Sequence, residues 1–296
     1  MNTGRKARFI HGVIFAAALF GAMTMIAPLL WMISTSLKQP SEVFTAPPHL
    51  LPGHWMWSNY ARAWNSIPFG RFYCNSVLVT LCVVAGQCLV SAMAGYAFAR
   101  LNFRGRDKIF FCYLATLMVP GAVTMIPLFI IMKLLGGLWH ANIYMFDNIY
   151  MGSPLGLNSY FALIVPGFFS AYGAFLLRQF FMGIPVELDE ATKIDGGGHW
   201  TIFSKVTVPL SMPAVATLAI FTLLGTWRDF IWPLVIVNTN ELKTLPVGLA
   251  AFQGLYSTDW ALLMAASLIV MAPLIIVFFF AQRFFVEGIK LQGIKG

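Results

Sequence analysis

Long apolar runs separated by short polar ones dominate this chain. Six apolar stretches emerge, at about Phe9–Ile33, Ser76–Ala99, Ile109–Met132, Tyr160–Phe181, Met212–Val237 and Trp260–Ala281. Each is long enough to cross roughly 30 Å of hydrocarbon as a helix. Barrel strands would alternate strictly over about ten residues, and none of these runs does. The first run is 25 residues long, beyond the roughly 7–15 apolar residues of a signal peptide, so it predicts an uncleaved helix. The fold expected is an all-α membrane protein with six transmembrane helices.

Composition agrees. Of 296 residues, 59% are hydrophobic and 10% charged, and the mean hydropathy is +0.76, which excludes an ordinary soluble domain. The 27 Phe, 9 Trp and 9 Tyr exclude disorder. A net charge of +8 raises nucleic acid as a partner. The basic residues, however, sit in small groups between apolar runs and form no helical stripe, so no nucleic acid is expected. Their distribution reads instead as topology. One side receives Arg5, Lys6, Arg8, Arg100, Arg104, Arg106, Lys108, Arg178, Lys193, Lys205, Arg283, Lys290 and Lys295. The other receives Lys38, Arg62, Arg71, Lys133 and Lys243. This asymmetry puts both termini and the second-to-third and fourth-to-fifth loops in the cytoplasm. Arg228 falls within the fifth run.

The external loops differ. Ser34 to Asn75 is rich in Pro and Trp, including Trp55, Trp57 and Trp64. Indoles favour the membrane–water interface, so this loop either lies partly on the bilayer or is a plain connector. Lys133 to Ser159, with Gly136, Gly137, Gly152, Pro154 and Gly156, reads as a turn-rich surface segment.

Candidate chemistry is sparse. Cys74, Cys82, Cys88 and Cys112 lie in or beside apolar runs without metal or redox spacing. The five histidines are scattered. No phosphate-binding loop of the Gly-x-x-x-x-Gly-Lys-Ser/Thr type is present. Neither a metal, a cofactor nor a catalytic residue is expected.

The informative stretch is Gly183–Pro213, GIPVELDEATKIDGGGHWTIFSKVTVPLSMP. Glu187, Asp189 and Glu190 crowd the start of a short predicted helix, where the dipole favours negative charge. Leu188, Ala191 and Ile194 recur every three residues as an apolar edge. The glycines at 196–198 stop the helix. A second helix is predicted over His199–Val208, with Trp200, Phe203 and Val206 on its edge, before Pro209 and Pro213. Such a cytoplasmic helix–turn–helix is either an amphipathic connector on lipid headgroups or a docking element for a soluble partner. Periodicity alone leaves both open.

Glu190-Ala191-Thr192, three residues, Gly196, nine residues, then Val206-Thr207-Val208-Pro209 resembles the EAA loop of ABC importer permeases. That pattern is Glu-Ala-Ala, three residues, Gly, nine residues, Ile, one residue, Leu-Pro. The spacing matches throughout, with Thr192, Val206 and Val208 as mild departures, and Asp195 fits the sugar branch. Leu245–Gly254 with Thr258-Asp259-Trp260, Tyr96–Arg100 with Phe103-Arg104-Gly105, and the ending Gly288–Gly296 resemble carbohydrate importer permeases of the maltose type, the last its G subunit.

The resemblance implies the type I ABC importer permease fold. It divides the chain into 1–74, an N-terminal cytoplasmic segment, first helix and external loop; 75–283, the transmembrane domain with the EAA loop at about 185–209; and 284–296, a cytoplasmic tail. It implies a permease subunit of a sugar importer in the bacterial cytoplasmic (inner) membrane. The partners implied are membrane lipid, a second permease, a cytoplasmic ATPase dimer that hydrolyses the ATP, and an external solute-binding protein. Glu190, Ala191, Thr192, Asp195, Gly196 and Pro209 would dock the ATPase, and Gly293, Lys295 and Gly296 of the tail would reach it.

Trp227-Arg228-Asp229 and Trp232 place charges and indoles within the fifth run. Intramembrane charges are costly and call for a partner. They are either a polar wall of the translocation path, with Trp227 and Trp232 on sugar faces, or a structural ion pair or subunit contact. An ion-coupled secondary transporter, the alternative function, would want acidic or histidine relays within spans. Asp229 alone qualifies.

Overall fold

A computed structural model describes residues 3–137, 143–145, 149–152, 155–253 and 258–293. The chain forms two compact units, one of Met1–Phe69 with Leu249–Pro273 and one of Gly70–Gly248 with Leu274–Gly296.

In the first unit, α1 (Thr3–Ser36) is followed by a short helix α2 (Ser58–Ser66). The most apolar part of the α1 span Ile10–Ser36 has no residue buried within the chain, and only its end, at Thr35 and Ser36, is covered. The loop after it is anchored by side chains. Asn59 donates to the carbonyls of Ser36 and Lys38, each at 2.9 Å. Lys38 is itself buried, donates to the His49 carbonyl at 2.5 Å and lies 4.6 Å from the centre of the Trp31 ring. Trp55 and Trp57 are exposed and stacked on each other.

The second unit carries α3 (Phe69–Arg100), α4 (Arg106–Ala115), α5 (Gly121–Gly137), a small antiparallel pair β1 (Ile143–Met145) and β2 (Ile149–Gly152), α6 (Tyr160–Ile164) and α7 (Ala171–Met182). It continues with α8 (Glu187–Ile194), α9 (His199–Thr201), α10 (Val208–Leu210), α11 (Met212–Trp227), α12 (Ile231–Ile236) and α13 (Leu245–Leu249). The last helix, α14 (Trp260–Gly293), contributes to both units.

Four helical stretches are unbroken enough to count as spans on their own: Ile10–Ser36, Phe69–Arg100, Tyr160–Met182 and Trp260–Phe280. The other two predicted spans are interrupted. The third bends by 104° between Arg106–Met118 and Gly121–Gly137. Pro120 lies in the gap; it lacks an N–H and pushes Val119 out of helical geometry, to ψ 119°. The fifth run does not continue from Met212 to Val237 as one helix. It ends at Trp227 and resumes at Ile231. Arg228 and Asp229 therefore occupy a helix break, not a helix interior. The strand pair in the third-to-fourth loop is a local exception to the all-helical expectation.

Within the second unit, the described residues form two apolar clusters. One gathers Val79 and Val83 of α3 with Ala162, Leu163 and Ile236. The other gathers Ala92 and Tyr96 of α3, Leu177 and Phe181 of α7, Ile202 and Phe203, and Ala214 and Leu218 of α11. Lipid tails are as apolar as these side chains, so small residues and close van der Waals contact must drive the helix association. A Cβ at Gly95 of α3 would meet the backbone N of Arg178 at 3.0 Å and Leu177 Cβ at 3.2 Å. Gly95→Leu is expected to cost at least about 1–3 kcal/mol, because backbone cannot move aside. A clear fall in the melting temperature of the detergent-purified protein checks this; an unchanged one contradicts the packing.

Candidate functional site

The hairpin after α7 begins with α8, whose first turn carries Glu187, Asp189 and Glu190. Its end is a Schellman motif. The Gly197 N–H bonds the Thr192 carbonyl at 2.8 Å, and the Gly196 N–H bonds the Lys193 carbonyl at 3.0 Å. Gly196 has φ +82°, the left-handed conformation that glycine adopts without penalty. A Cβ at Gly197 would lie 2.7 Å from Thr192 Cγ2. Thr192, where the motif has alanine, donates its hydroxyl to the Leu188 carbonyl one turn back at 2.8 Å, so the extra polar group is satisfied locally.

The return arm runs through α9, a π-helical turn over Ile202–Thr207, and α10. It meets α11 at a 75° bend. The two apolar edges face different ways. Leu188, Ala191 and Ile194 of α8 are exposed, Ile194 by 86%. Trp200 is also exposed, while Ile202 and Phe203 are buried in the core beside α3, α7 and α11. Phe203 makes an edge contact with Tyr96, whose hydroxyl is 3.3 Å from His199 Nδ1. Glu190, Asp195 and Pro209 are exposed with the α8 edge.

Two residues outside the predicted docking set fix the hairpin. Asp189, unlike its acidic neighbours, turns inward. Its Oδ2 lies 3.4 Å from Arg100 Nε at the end of α3, and both side chains are about nine-tenths buried, at 10% and 8% exposed. Arg100 also donates from Nη2 to the Ile184 carbonyl at 2.7 Å, holding the chain as it leaves α7. Arg178 of α7 reinforces this end. It bonds the Phe98 carbonyl at 3.2 Å, approaches Asp107 at 3.4 Å and lies over the Phe110 ring. In sequence Arg100 counts among the basic residues that set topology and closes the Tyr96–Arg100 resemblance, with no partner assigned to it. An arginine closing a long apolar run, with three acids clustered far downstream, was the available signal.

The charged step of the fifth run is arranged differently. Trp227 is buried, with its ring edge-on to Tyr73 at 5.9 Å. Arg228 is exposed and donates from Nε to the Leu224 carbonyl at 3.1 Å. Asp229 turns away from it. Its Oδ1 accepts from the Trp232 backbone N–H at 3.3 Å, and the Trp232 indole donates to the Ala162 carbonyl at 2.9 Å. Asp229 lines a cavity of about 20 Å³ with Ser76, Thr80, Thr226, Trp232 and Thr244. Among the described residues Arg228 and Asp229 form no ion pair, and no group of His, Cys, Asp and Glu could hold a metal. Of the tail, Gly293 ends α14, and Lys295 and Gly296 lie outside the described residues.

The model of the binding-protein-dependent transport system inner membrane component matches residues 89–291. The chain belongs to this permease family. Similar full-length permeases include the arabinooligosaccharides transport system permease protein of Halalkalibacterium halodurans, 32% identical over 94% of each chain. The diacetylchitobiose uptake system permease protein of Streptomyces coelicolor is 33% identical over 93% of this chain and 86% of its own length. Among solved structures, a bacterial ABC transporter that imports the acidic polysaccharide alginate matches with TM-score 0.79 at 23% identity, covering 94% of this chain and 98% of that one. That likeness establishes the type I importer permease fold. As a permease subunit the chain is not itself the enzyme that hydrolyses ATP, and the EAA loop is a mark of its family.

Removing one member of a buried ion pair strands the other charge, at about 3–5 kcal/mol. Asp189→Asn is therefore expected to loosen the hairpin and speed tryptic cleavage after the exposed Lys193 and Lys205. Cleavage at the wild-type rate would show that the pair does not hold it.

Proposed function

We propose that this permease imports a carbohydrate across the bacterial cytoplasmic membrane. It works beside a second permease, with a cytoplasmic ATPase dimer and an external solute-binding protein. The observation that carries the reading is the hairpin: an exposed edge of Leu188, Ala191 and Ile194 flanked by Glu190 and Asp195, on a return arm buried in the helical core. An exposed apolar strip with charged margins suits a groove in a soluble partner.

In this reading Glu190 and Asp195 present charge to the ATPase surface. Ala191 and Thr192 keep the contact thin, and Gly196 makes the turn. Pro209 leads the return arm toward α11. When the ATPases close, the hairpin is displaced. Because Ile202 and Phe203 pack against α3, α7 and α11, and Arg100 holds Asp189, the displacement passes to the spans. The tail around Gly293, Lys295 and Gly296 supplies a further ATPase contact. Both termini lie in the cytoplasm, as the basic residues require. The division of the chain at about 75 and 283 separates the transport domain from its flanks. The carbohydrate assignment is supported by the oligosaccharide named for the Halalkalibacterium relative and the diacetylchitobiose named for the Streptomyces relative. Trp232, Arg228 and Asp229 border the path, while Trp227 supports them from inside the fold.

Uptake into proteoliposomes holding the assembled transporter is expected to require internal ATP. Uptake that follows an ion gradient and ignores ATP would contradict the assignment. Gly196→Pro would force φ near −65° where +82° is needed and would remove the N–H that bonds Lys193. It is expected to cut transport at least about tenfold, since loss of a required conformation costs more than 1.4 kcal/mol. Normal transport with normal ATPase binding would show that docking lies elsewhere.

A further inference from the structure

We propose that Arg228 receives an oxyanion of the transported solute, so that this permease carries an acidic saccharide; the inference rests on the importer reading above. The guanidinium stands where a run of apolar residues breaks between α11 and α12, and charge there demands a counter-charge. The adjacent Asp229 does not supply it. That carboxylate is committed to the Trp232 backbone and to the cavity with Thr80 and Thr244. No carboxylate lies within ion-pair distance of Arg228 among the described residues.

The group is exposed. Nε is held by the Leu224 carbonyl in the last turn of α11, and among the described residues neither Nη group has a hydrogen-bond or ion-pair partner. Two parallel N–H donors form a fork that matches a carboxylate or phosphate and has no such match in a neutral hydroxyl. One turn back on the same face is Gly225, where a Cβ would meet nothing within 4 Å. The space at Gly225, beside the arginine, is therefore open. Interrupted helices at membrane depth are also where transporters expose polar groups to a passing substrate.

The test uses the assembled transporter in proteoliposomes containing ATP. The probes are the acidic and neutral fractions of a mixed polysaccharide hydrolysate, separated by anion exchange. Wild type is expected to accumulate saccharides from the acidic fraction in preference to the neutral one. Arg228→Gln is expected to lower that preference at least about tenfold, the scale for losing a hydrogen bond between charged groups, and Arg228→Lys to restore part of it. Phosphatase treatment of the acidic fraction separates the sources. Lost uptake assigns the oxyanion to phosphate and retained uptake to carboxylate, and both support the proposal. Uptake from the neutral fraction alone, or from neither, overturns it, as does an unchanged preference in Arg228→Gln. Loss of the second permease from purified Arg228→Gln complexes also overturns it, by assigning the guanidinium to a subunit contact. ATP-dependent uptake of neutral saccharides would leave the importer reading standing while this inference falls.

Discussion

A docking element can transmit force only if it cannot move independently of the helices behind it. The hairpin proposed to dock the ATPase meets that constraint through its return arm and one buried ion pair. Ile202 and Phe203 enter the same cluster as Tyr96, Leu177 and Leu218. Arg100 ties α8 to the end of α3 through Asp189 and ties the exit of α7 through the Ile184 carbonyl. A buried pair adds little net stability against an apolar substitute. Its value here is positional, because it links elements more than eighty residues apart in sequence. The Schellman turn at Gly196 then leaves the outer edge exposed.

The remaining charged groups follow a different logic. At the hairpin end, the Asp189 and Arg100 charges are neutralised inside the fold. At the break after Trp227, the two adjacent charges are separated by geometry. Asp229 lines a small cavity of mixed polar and apolar residues, and Arg228 is exposed with its Nε bonded to the Leu224 carbonyl. The break itself is consistent with the sequence chemistry. Arg228 and Asp229 both find backbone partners outside a regular helix, and Trp232 and Pro233 restart the chain with the indole bonded to Ala162.

Much of this was legible from the residues. The six apolar runs, their approximate limits, and the glycine-stopped helix at Ile194 all follow from hydrophobic period and glycine chemistry. The motif spacing from Glu190 to Pro209 then named the family. Three features were not legible. The fifth run reads as continuous because hydropathy is insensitive to a three-residue break. The bend in the third run is signalled by Pro120, but proline inside a membrane helix is often accommodated, so its position gives no angle. The Asp189–Arg100 pair is invisible because helical period places Asp189 only relative to its own helix. Whether it faces solvent or a distant arginine depends on tertiary packing.

The central claim is that the exposed edge of α8 meets the ATPase on the cytoplasmic side. The most direct measurement replaces Ile194, 86% exposed, with cysteine in a chain lacking the four native cysteines, and follows labelling by a membrane-impermeant maleimide. In inside-out vesicles the account predicts rapid labelling of the permeases alone and strong protection when the ATPase subunits are bound. Labelling from the external side, or labelling indifferent to the ATPase, would contradict it.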